Sequence, residues 1–229
     1  MARQEKQVAA RGRGRPRAGQ ELDPGPLLTA ALDAFADAGY DGMSVRALSR
    51  RLGLSHALFT ARFGSKEQLW YAAMDHALAQ AARAWRETTA NAGGDDFEAL
   101  RQGIVRQVLF TAAYPQVVRI MNHEGAIDSP RIRYVVERFV NPVRPGVEEL
   151  LARLQDAGRI RPTPYATLHY LVTNGGGGLY VHPVEAKLLG AALPATPAAL
   201  REHAETVADM IIGGIALTPA PNRSTPAEG

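Results

Sequence analysis

Three helix-start signals and two helix-stop glycines follow one another in quick succession in the first third of this chain. Ser44 and Ser55 each precede a short run with apolar residues at helical spacing, and serine is a favoured N-cap because its hydroxyl accepts from a free backbone N–H. Gly53 and Gly64 follow the two runs, and glycine often ends a helix. The sequence SKEQ at 65–68 fits a capping box. The pattern predicts two short helices joined by a glycine turn, and then a capped third helix.

Helices are also expected on both sides of this unit. Apolar residues recur at helical spacing from Leu27, with Asp23 and Pro24 as start signals and Gly39 as the stop. Beyond the sequence NAGG at 91–94, helices are predicted over residues 97–112, 115–123, 130–156, 164–190 and 197–215. No stretch keeps the alternation of a β-strand for long, so the predicted fold is all-α.

Two of these predicted helices contain residues that oppose a helix. Pro142 and Pro145 each lack a backbone donor, and they should kink or break the helix over 130–156. The four glycines at 175–178 weaken the helix over 164–190. No strand precedes them and no phosphate-binding spacing is present, so the favoured interpretation is close approach of another helix or a ligand to the backbone, or a break in the helix.

The second short helix indicates what the unit binds. Phe59 and Phe63 give residues 55–62 a buried side, whereas the opposite face carries His56, Ala57, Thr60 and Ala61. A helix that enters the major groove of DNA needs small and hydrogen-bonding side chains on its exposed face. Arg46 and Lys66 lie at the near ends of the flanking helices, where cations can contact phosphates. We interpret the unit as a helix-turn-helix; a purely structural helical hairpin is the alternative.

The stretch GMSVRALSRRLGLSHALFTARFGSKEQLWYAA resembles the TetR family of bacterial transcriptional regulators, and the resemblance extends from residue 27 to about residue 73. It implies an N-terminal helix-turn-helix domain over residues 22–70 and a larger C-terminal helical domain over 71–217. By position, it assigns DNA contacts to Ser44, Arg46, Ser55, His56, Ala57, Thr60, Ala61, Arg62 and Lys66.

The recognition helix departs from the family pattern at two positions. The family usually has a tyrosine where this chain has Thr60, and often an aromatic residue or histidine at the position of Ala61. This helix should therefore offer less contact area to DNA, and some affinity has to come from elsewhere.

A basic N-terminal arm is the candidate source of that affinity. Residues 1–19 carry six basic side chains and one acidic one, and Arg13-Gly14-Arg15-Pro16-Arg17 resembles the core of an AT-hook. We expect residues 1–21 to form a flexible arm that inserts Arg13, Arg15 and Arg17 into a narrow minor groove. The alternative is a solvated tail with nonspecific attraction to phosphates.

The resemblance also implies a dimer formed through the last two long helices, here 164–190 and 197–215. An apolar stripe on the last helix agrees with this, although burial within one protomer is the alternative; it comprises Leu200, Ala204, Val207, Ala208, Ile211 and Ile215. A small-molecule pocket in the C-terminal domain is expected to involve Phe110, Met121, Tyr134, Phe139, His169, Tyr170 and Asn174.

Other classes of function find little support in the sequence. The chain has no cysteine, its histidines lack metal-ligand spacing, and no G-x-S-x-G turn occurs. We therefore predict no cofactor, no metal and no enzymatic activity. No apolar run approaches the roughly 20 residues that span a bilayer, so a cytoplasmic protein is expected.

The prediction is a homodimeric repressor that binds a palindromic operator in double-stranded DNA and leaves it when a small-molecule effector binds. A ligand-independent DNA-binding or architectural protein is one alternative, and a helical enzyme is the other. Residues 218–229, rich in proline, serine and alanine, are expected to be a disordered tail.

Overall fold

The fold is all-α throughout the part of the chain that the computed structural model describes, residues 24–91 and 95–217. Within these ranges the only β-type pairing is one isolated antiparallel bridge. It joins Ile160, which lies in a loop, to Ala216, which directly follows the last helix. None of the described helices is both long and apolar enough to cross a membrane. The predicted basic arm, including Arg13, Arg15 and Arg17, and the tail at 218–229 lie outside the described residues.

The N-terminal helices are α1 (Pro24–Gly42), α2 (Val45–Arg51), α3 (His56–Phe63) and α4 (Lys66–Asn91). Gly39, predicted as the end of the first helix, has a φ of 68° and kinks α1 instead of ending it. A left-handed backbone of this kind favours glycine.

The predicted caps are confirmed. The Ser44 hydroxyl accepts from the backbone N–H of Ala47 at 3.3 Å, and the Ser55 hydroxyl accepts from that of Leu58 at 3.1 Å. The capping box closes in both directions: the N–H of Gln68 donates to the Ser65 hydroxyl, and the N–H of Ser65 donates to the Gln68 side chain, each at 3.1 Å. Local side-chain chemistry thus sets the boundaries of the helix-turn-helix.

The larger domain is built from the remaining helices. These are α5 (Asp96–Ala113), α6 (Pro115–Glu124), α7 (Pro130–Val135), α8 (Arg144–Asp156), α9 (Tyr165–Tyr170), α10 (Gly178–Val181), α11 (Pro183–Leu188) and α12 (Pro197–Ile215). Helix α7 continues into a π-helical turn at Val136–Val140, and α9 into another at Leu171–Gly175.

The proline break is confirmed, whereas the long helix over 164–190 is wrong. The predicted helix is interrupted around Pro142, and a new helix, α8, begins at Arg144. Pro145 lies in the first turn of α8, where no backbone N–H donor is needed. Residues 164–190 form α9 with its π-helical turn and then two separate short helices, α10 and α11. The glycine run is the point at which the predicted helix is interrupted.

The glycine run interrupts the helix where two backbones approach closely. A Cβ added at Gly177 would lie 2.3 Å from Cγ2 of Thr111, a fully buried residue of α5. One at Gly176 would lie 3.0 Å from the side chains of both Val108 and Val207. The missing side chains allow this segment to pack directly on α5, which agrees with the close approach predicted from the sequence.

Three members of the apolar stripe of α12 are buried within the protomer, so the assignment of Ala204, Ala208 and Ile211 to a dimer interface is wrong. Ala204 and Ala208 are fully buried and Ile211 is 8% exposed, in a cluster that includes Leu100 and Val108 of α5. Alanine at these positions lets the two helices approach closely, and Arg101 of α5 adds an ion pair to Asp209 at 2.8 Å. The alternative of burial within one protomer applies to these three residues, whereas Leu200, Val207 and Ile215 are only partly buried.

Two hydrophobic clusters organise the described residues. The first joins α1–α4 to Val117 and Ile120 of α6 and to Val135 of α7. The second joins α5, α8, α9 and α12. The core of the helix-turn-helix therefore includes side chains from the larger domain, and a movement of α6 must disturb the packing of α1.

A glycine pair offers a matched test of the close approach at α5. Gly177→Ala should destabilise the protein by about 2 kcal/mol, because the new methyl group overpacks against Thr111. Gly178→Ala is the control, since nothing lies within 4 Å of a Cβ at that position. Urea denaturation followed by circular dichroism would measure both. Equal stability of the two variants would contradict the packing described.

Candidate DNA-binding surface and effector cavity

Helix α3 presents the face that the sequence predicts for DNA recognition. Phe59 is 2% exposed and packs on the half-buried Phe63, with ring centroids 5.1 Å apart. This pair anchors α3 in the first cluster. The predicted contact residues remain exposed to solvent, and they are Ser55, His56, Ala57, Thr60, Ala61 and Arg62. The Thr60 hydroxyl lies 3.4 Å from Nδ1 of His56, so these two polar groups can orient each other.

Leu58 is not among the contact residues that the sequence predicts. It lies on α3 with half of its surface exposed, one helical turn before Ala61 and Arg62. Helical spacing alone places it beside those two residues, so a helical projection of α3 would have found it. An exposed leucine beside Ala61 can contact a thymine methyl group in the major groove. It gives this helix apolar contact area that Thr60 and Ala61 do not provide.

Two cations flank the recognition helix, and their environments differ. Arg46 is exposed near the start of α2 and makes no ion pair with the residues that the structure describes. Lys66 is half-buried at the start of α4; its Nζ donates to the carbonyl of Asp41 at 3.1 Å and lies 4.8 Å from the ring centroid of Tyr40. Lys66 is therefore oriented by the end of α1, whereas Arg46 can reach outward.

Tyr40 connects this surface to the larger domain. The Arg131 guanidinium lies 3.7 Å from the centroid of the Tyr40 ring, which is cation–π distance. Nε of Arg131 donates to Glu124 at 2.9 Å, and the Ser129 hydroxyl donates to the same carboxylate at 2.7 Å. The Glu124 side chain is only 4% exposed and that of Arg131 16%. A mostly buried ion pair at the end of α6 thus contacts the aromatic ring that also lies beside Lys66.

Two further contacts join α6 to α1. Arg119 forms an ion pair with Asp37 at 3.2 Å, and the ring of His123 lies 3.6 Å from where a Cβ would stand on Gly39. The kink in α1 therefore falls where α6 packs against it. The end of α1 is positioned by side chains of the larger domain rather than by α2 and α3 alone.

A cavity of about 780 Å³ opens on the other side of α6. Its walls are mostly apolar and include Leu100 and Ile104 of α5 and Val117 of α6. Both π-helical turns contribute to the lining, through Val136 and Val172 among others. Turns of this kind often occur at functional sites. The size and apolar character are typical of sites for small organic ligands.

The cavity brings together six of the seven residues predicted for the pocket. These are Phe110, Met121, Phe139, His169, Tyr170 and Asn174. Tyr134 does not line it. The Tyr134 hydroxyl instead donates to Asp75 of α4 at 2.7 Å, and the ring packs 4.4 Å from that of Tyr71. The helical position of Tyr134 directs it toward α4, while its neighbour Val135 lines the cavity.

Burial sets the protonation of two side chains in and beside the cavity. Burial, together with the hydrogen bond to Asp75, raises the pKa of Tyr134 to about 12. Burial also lowers the pKa of His169 from its ordinary value. Nδ1 of His169 lies 3.4 Å from the Tyr165 hydroxyl. The imidazole is therefore neutral near pH 7 and can act as a hydrogen-bonding group of the cavity wall.

Several polar lining residues are not predicted from the sequence, because no local pattern marks them. Gln107 lies on α5, Asn122 on α6 and Asn141 in the turn before α8, so the three residues meet only in the folded chain. Among the described residues, no group of three or more His, Asp or Glu side chains is arranged to hold a metal ion.

Residues 27–73 match the sequence model described as bacterial regulatory proteins of the tetR family. No curated protein matches the chain in sequence. The family match coincides with the whole helix-turn-helix, from α1 to the first turns of α4.

Solved structures share the fold of both domains. The ketosteroid transcriptional regulator KstR2 of Mycobacterium tuberculosis is 20% identical, with 88% of this chain and 99% of that chain covered and a TM-score of 0.65. The TetR family regulator PfmR from Thermus thermophilus is 24% identical, with 82% and 97% covered and a TM-score of 0.57. A transcriptional regulator from Rhodococcus sp. Rha1 is 21% identical, with 86% and 100% covered and a TM-score of 0.56. The family match therefore covers the DNA-binding domain, and the chain as a whole has the fold of these regulators.

Removal of the Glu124 charge tests the contact between the two domains. Glu124→Gln should lower the free energy of unfolding by about 2 kcal/mol, since it leaves the mostly buried Arg131 without its counter-charge. Asp128→Asn is the matched control, because its ion pair with Arg133 is exposed and its removal should have little effect. Chemical denaturation would measure both variants. A Glu124→Gln protein as stable as the control would show that the pair does not support the interface.

Proposed function

We propose that the protein is a homodimeric repressor that binds a palindromic DNA operator and releases it when a small molecule occupies the cavity of the larger domain. The observation that carries the proposal is the surface of α3. Its exposed side is formed by small and hydrogen-bonding side chains, with Arg46 and Lys66 at its flanks, in a domain that the TetR family model matches. As a regulator bound to bacterial DNA, it would act in the cytoplasm.

The division of DNA contacts follows from side-chain chemistry. His56 and Thr60 can donate to or accept from base edges, whereas Leu58 and Ala61 suit thymine methyl groups. Arg46 and Lys66 are suited to phosphates, which fix the position of the helix on the duplex without reading its sequence. The arginines of the N-terminal arm are proposed to add minor-groove contacts.

A second copy of the chain is needed because one helix-turn-helix covers a single half-site. With Ala204, Ala208 and Ile211 of α12 buried within the protomer, the interface is proposed to use exposed apolar side chains in the last part of the described chain. They are Val184, Leu188 and Leu189 around α11, with Met210 and Leu217 in and after α12. These side chains are large and exposed, and their burial by a partner would favour association. Gly213 and Gly214 have nothing within 4 Å of a Cβ position, so a partner helix could approach α12 there.

We propose that α6 transmits the effect of ligand binding from the cavity to the DNA-binding domain, so that the operator is released. Val117 lines the cavity and also belongs to the first hydrophobic cluster, so a ligand that displaces it disturbs the packing beneath α1. Glu124, at the end of the same helix, holds Arg131 against Tyr40. A ligand that prefers the displaced arrangement shifts the population toward dimers whose recognition helices no longer match adjacent major grooves.

Selection of bound DNA from a random pool, followed by binding titrations at several salt concentrations, tests the DNA-binding surface. Arg46→Ala should weaken binding to all selected sequences alike and reduce the salt slope by about one unit for each phosphate that the protein no longer neutralises. Arg161→Ala removes the same charge from the larger domain and should leave the slope unchanged. A larger effect of Arg161→Ala than of Arg46→Ala would contradict the proposed surface.

Deletion of residues 1–19 tests the arm. If the arginines of the arm contact DNA, the truncated protein should bind the selected sequence more weakly, with a flatter salt dependence. Without minor-groove contacts, the footprint of the protein on A·T-rich flanking sequence should also shorten. An unchanged affinity and footprint would mean that the arm takes no part in binding.

A further inference from the structure

The charges that line the cavity cancel each other. Among the described lining residues, only Arg144 and Glu148 carry a charge near pH 7. Nε of Arg144 donates to the Glu148 carboxylate at 2.8 Å, in a pair that is about half exposed at the rim. The guanidinium also lies 5.4 Å from the ring centroid of Tyr165. A charged group on a ligand would therefore meet no unpaired counter-charge in the cavity.

Neutral hydrogen-bonding groups are available in the same cavity. The side-chain amides of Gln107 and Asn174 make no hydrogen bond to any residue of the described ranges, and the Nε2 atom of His169 likewise has no partner there. Gln107 lies on α5 and Asn174 on the π-helical turn that packs against α5. An amide and an imidazole each pair well with a hydroxyl or carbonyl group, because each can donate or accept.

We infer that the effector is an uncharged, largely apolar molecule that carries a hydroxyl or carbonyl group for Gln107 and the nearby polar wall. This inference rests on the proposed function and assigns the chemical class of the ligand. The apolar walls favour an apolar body. A free carboxylate or ammonium group is disfavoured, since its desolvation would not be compensated by an opposite charge.

Three fluorescent probes with one apolar body separate the ligand classes. Pyrenemethanol, pyrenecarboxylate and pyrenemethylammonium differ in charge at pH 7 but share the same ring system. Fluorescence titration of the full-length protein should show pyrenemethanol binding at least tenfold more tightly than either charged probe. Equal or tighter binding of a charged probe, or no binding of the alcohol, would overturn the inference.

Two variants test whether Gln107 and the Arg144–Glu148 ion pair cause the preference for the uncharged probe. Gln107→Leu should weaken pyrenemethanol binding several-fold, whereas Gln102→Leu, on the same helix but outside the cavity lining, should not. Glu148→Gln leaves the charge of Arg144 uncompensated, so pyrenecarboxylate should gain affinity several-fold and pyrenemethylammonium should not. An unchanged affinity for pyrenecarboxylate would contradict the role of the Arg144–Glu148 ion pair.

The titrations contain no DNA, so their outcome is separable from that of the proposed function. A failure of the alcohol to bind would overturn the ligand class and leave operator recognition as tested by the selection experiment. Conversely, tight binding of the alcohol without any effect on a selected operator complex would support the ligand class and contradict ligand-controlled release.

Discussion

Helix α6 is packed on two sides, and both proposed activities depend on that constraint. One side contributes Val117 and Ile120 to the core beneath α1, while Val117 and Met121 also line the cavity. At its end, the mostly buried Glu124 fixes Arg131 on the ring of Tyr40. Because protein interiors are closely packed, α6 cannot move toward or away from the cavity without a response from α1. The recognition surface is thus supported by the helix that a ligand would contact.

The helix-turn-helix could be predicted from the sequence because its determinants are local. Each cap is formed by residues within three positions of one another, as in the reciprocal bonds of Ser65 and Gln68, and such patterns are visible in the sequence. The proline break before α8 is equally local, since Pro145 fits only the first turn of a helix. Leu58 was overlooked even though helical spacing would have placed it beside Ala61.

The errors about the dimer interface and the pocket concern contacts between distant parts of the chain. The apolar stripe on α12 could pack against a partner subunit or against α5 of the same protomer, and the sequence does not distinguish the two. Only the folded structure shows that Ala204 and Ala208 are buried against α5. Tyr134 could face the pocket or α4, and its hydrogen bond to Asp75 selects α4. The cancelling charges of Arg144 and Glu148 are adjacent on a helix, yet nothing local indicates that they border a cavity.

The distance between the two recognition domains of the dimer tests the central claim most directly. The chain contains no cysteine, so an Ala38→Cys variant with one spin label on each protomer gives a single interprotomer distance. Bound to operator DNA, the dimer should show a narrow distribution that places its recognition helices about 34 Å apart, as adjacent major grooves require. Saturation with pyrenemethanol should shift and broaden that distribution. Identical distributions with operator and with saturating ligand would contradict the account.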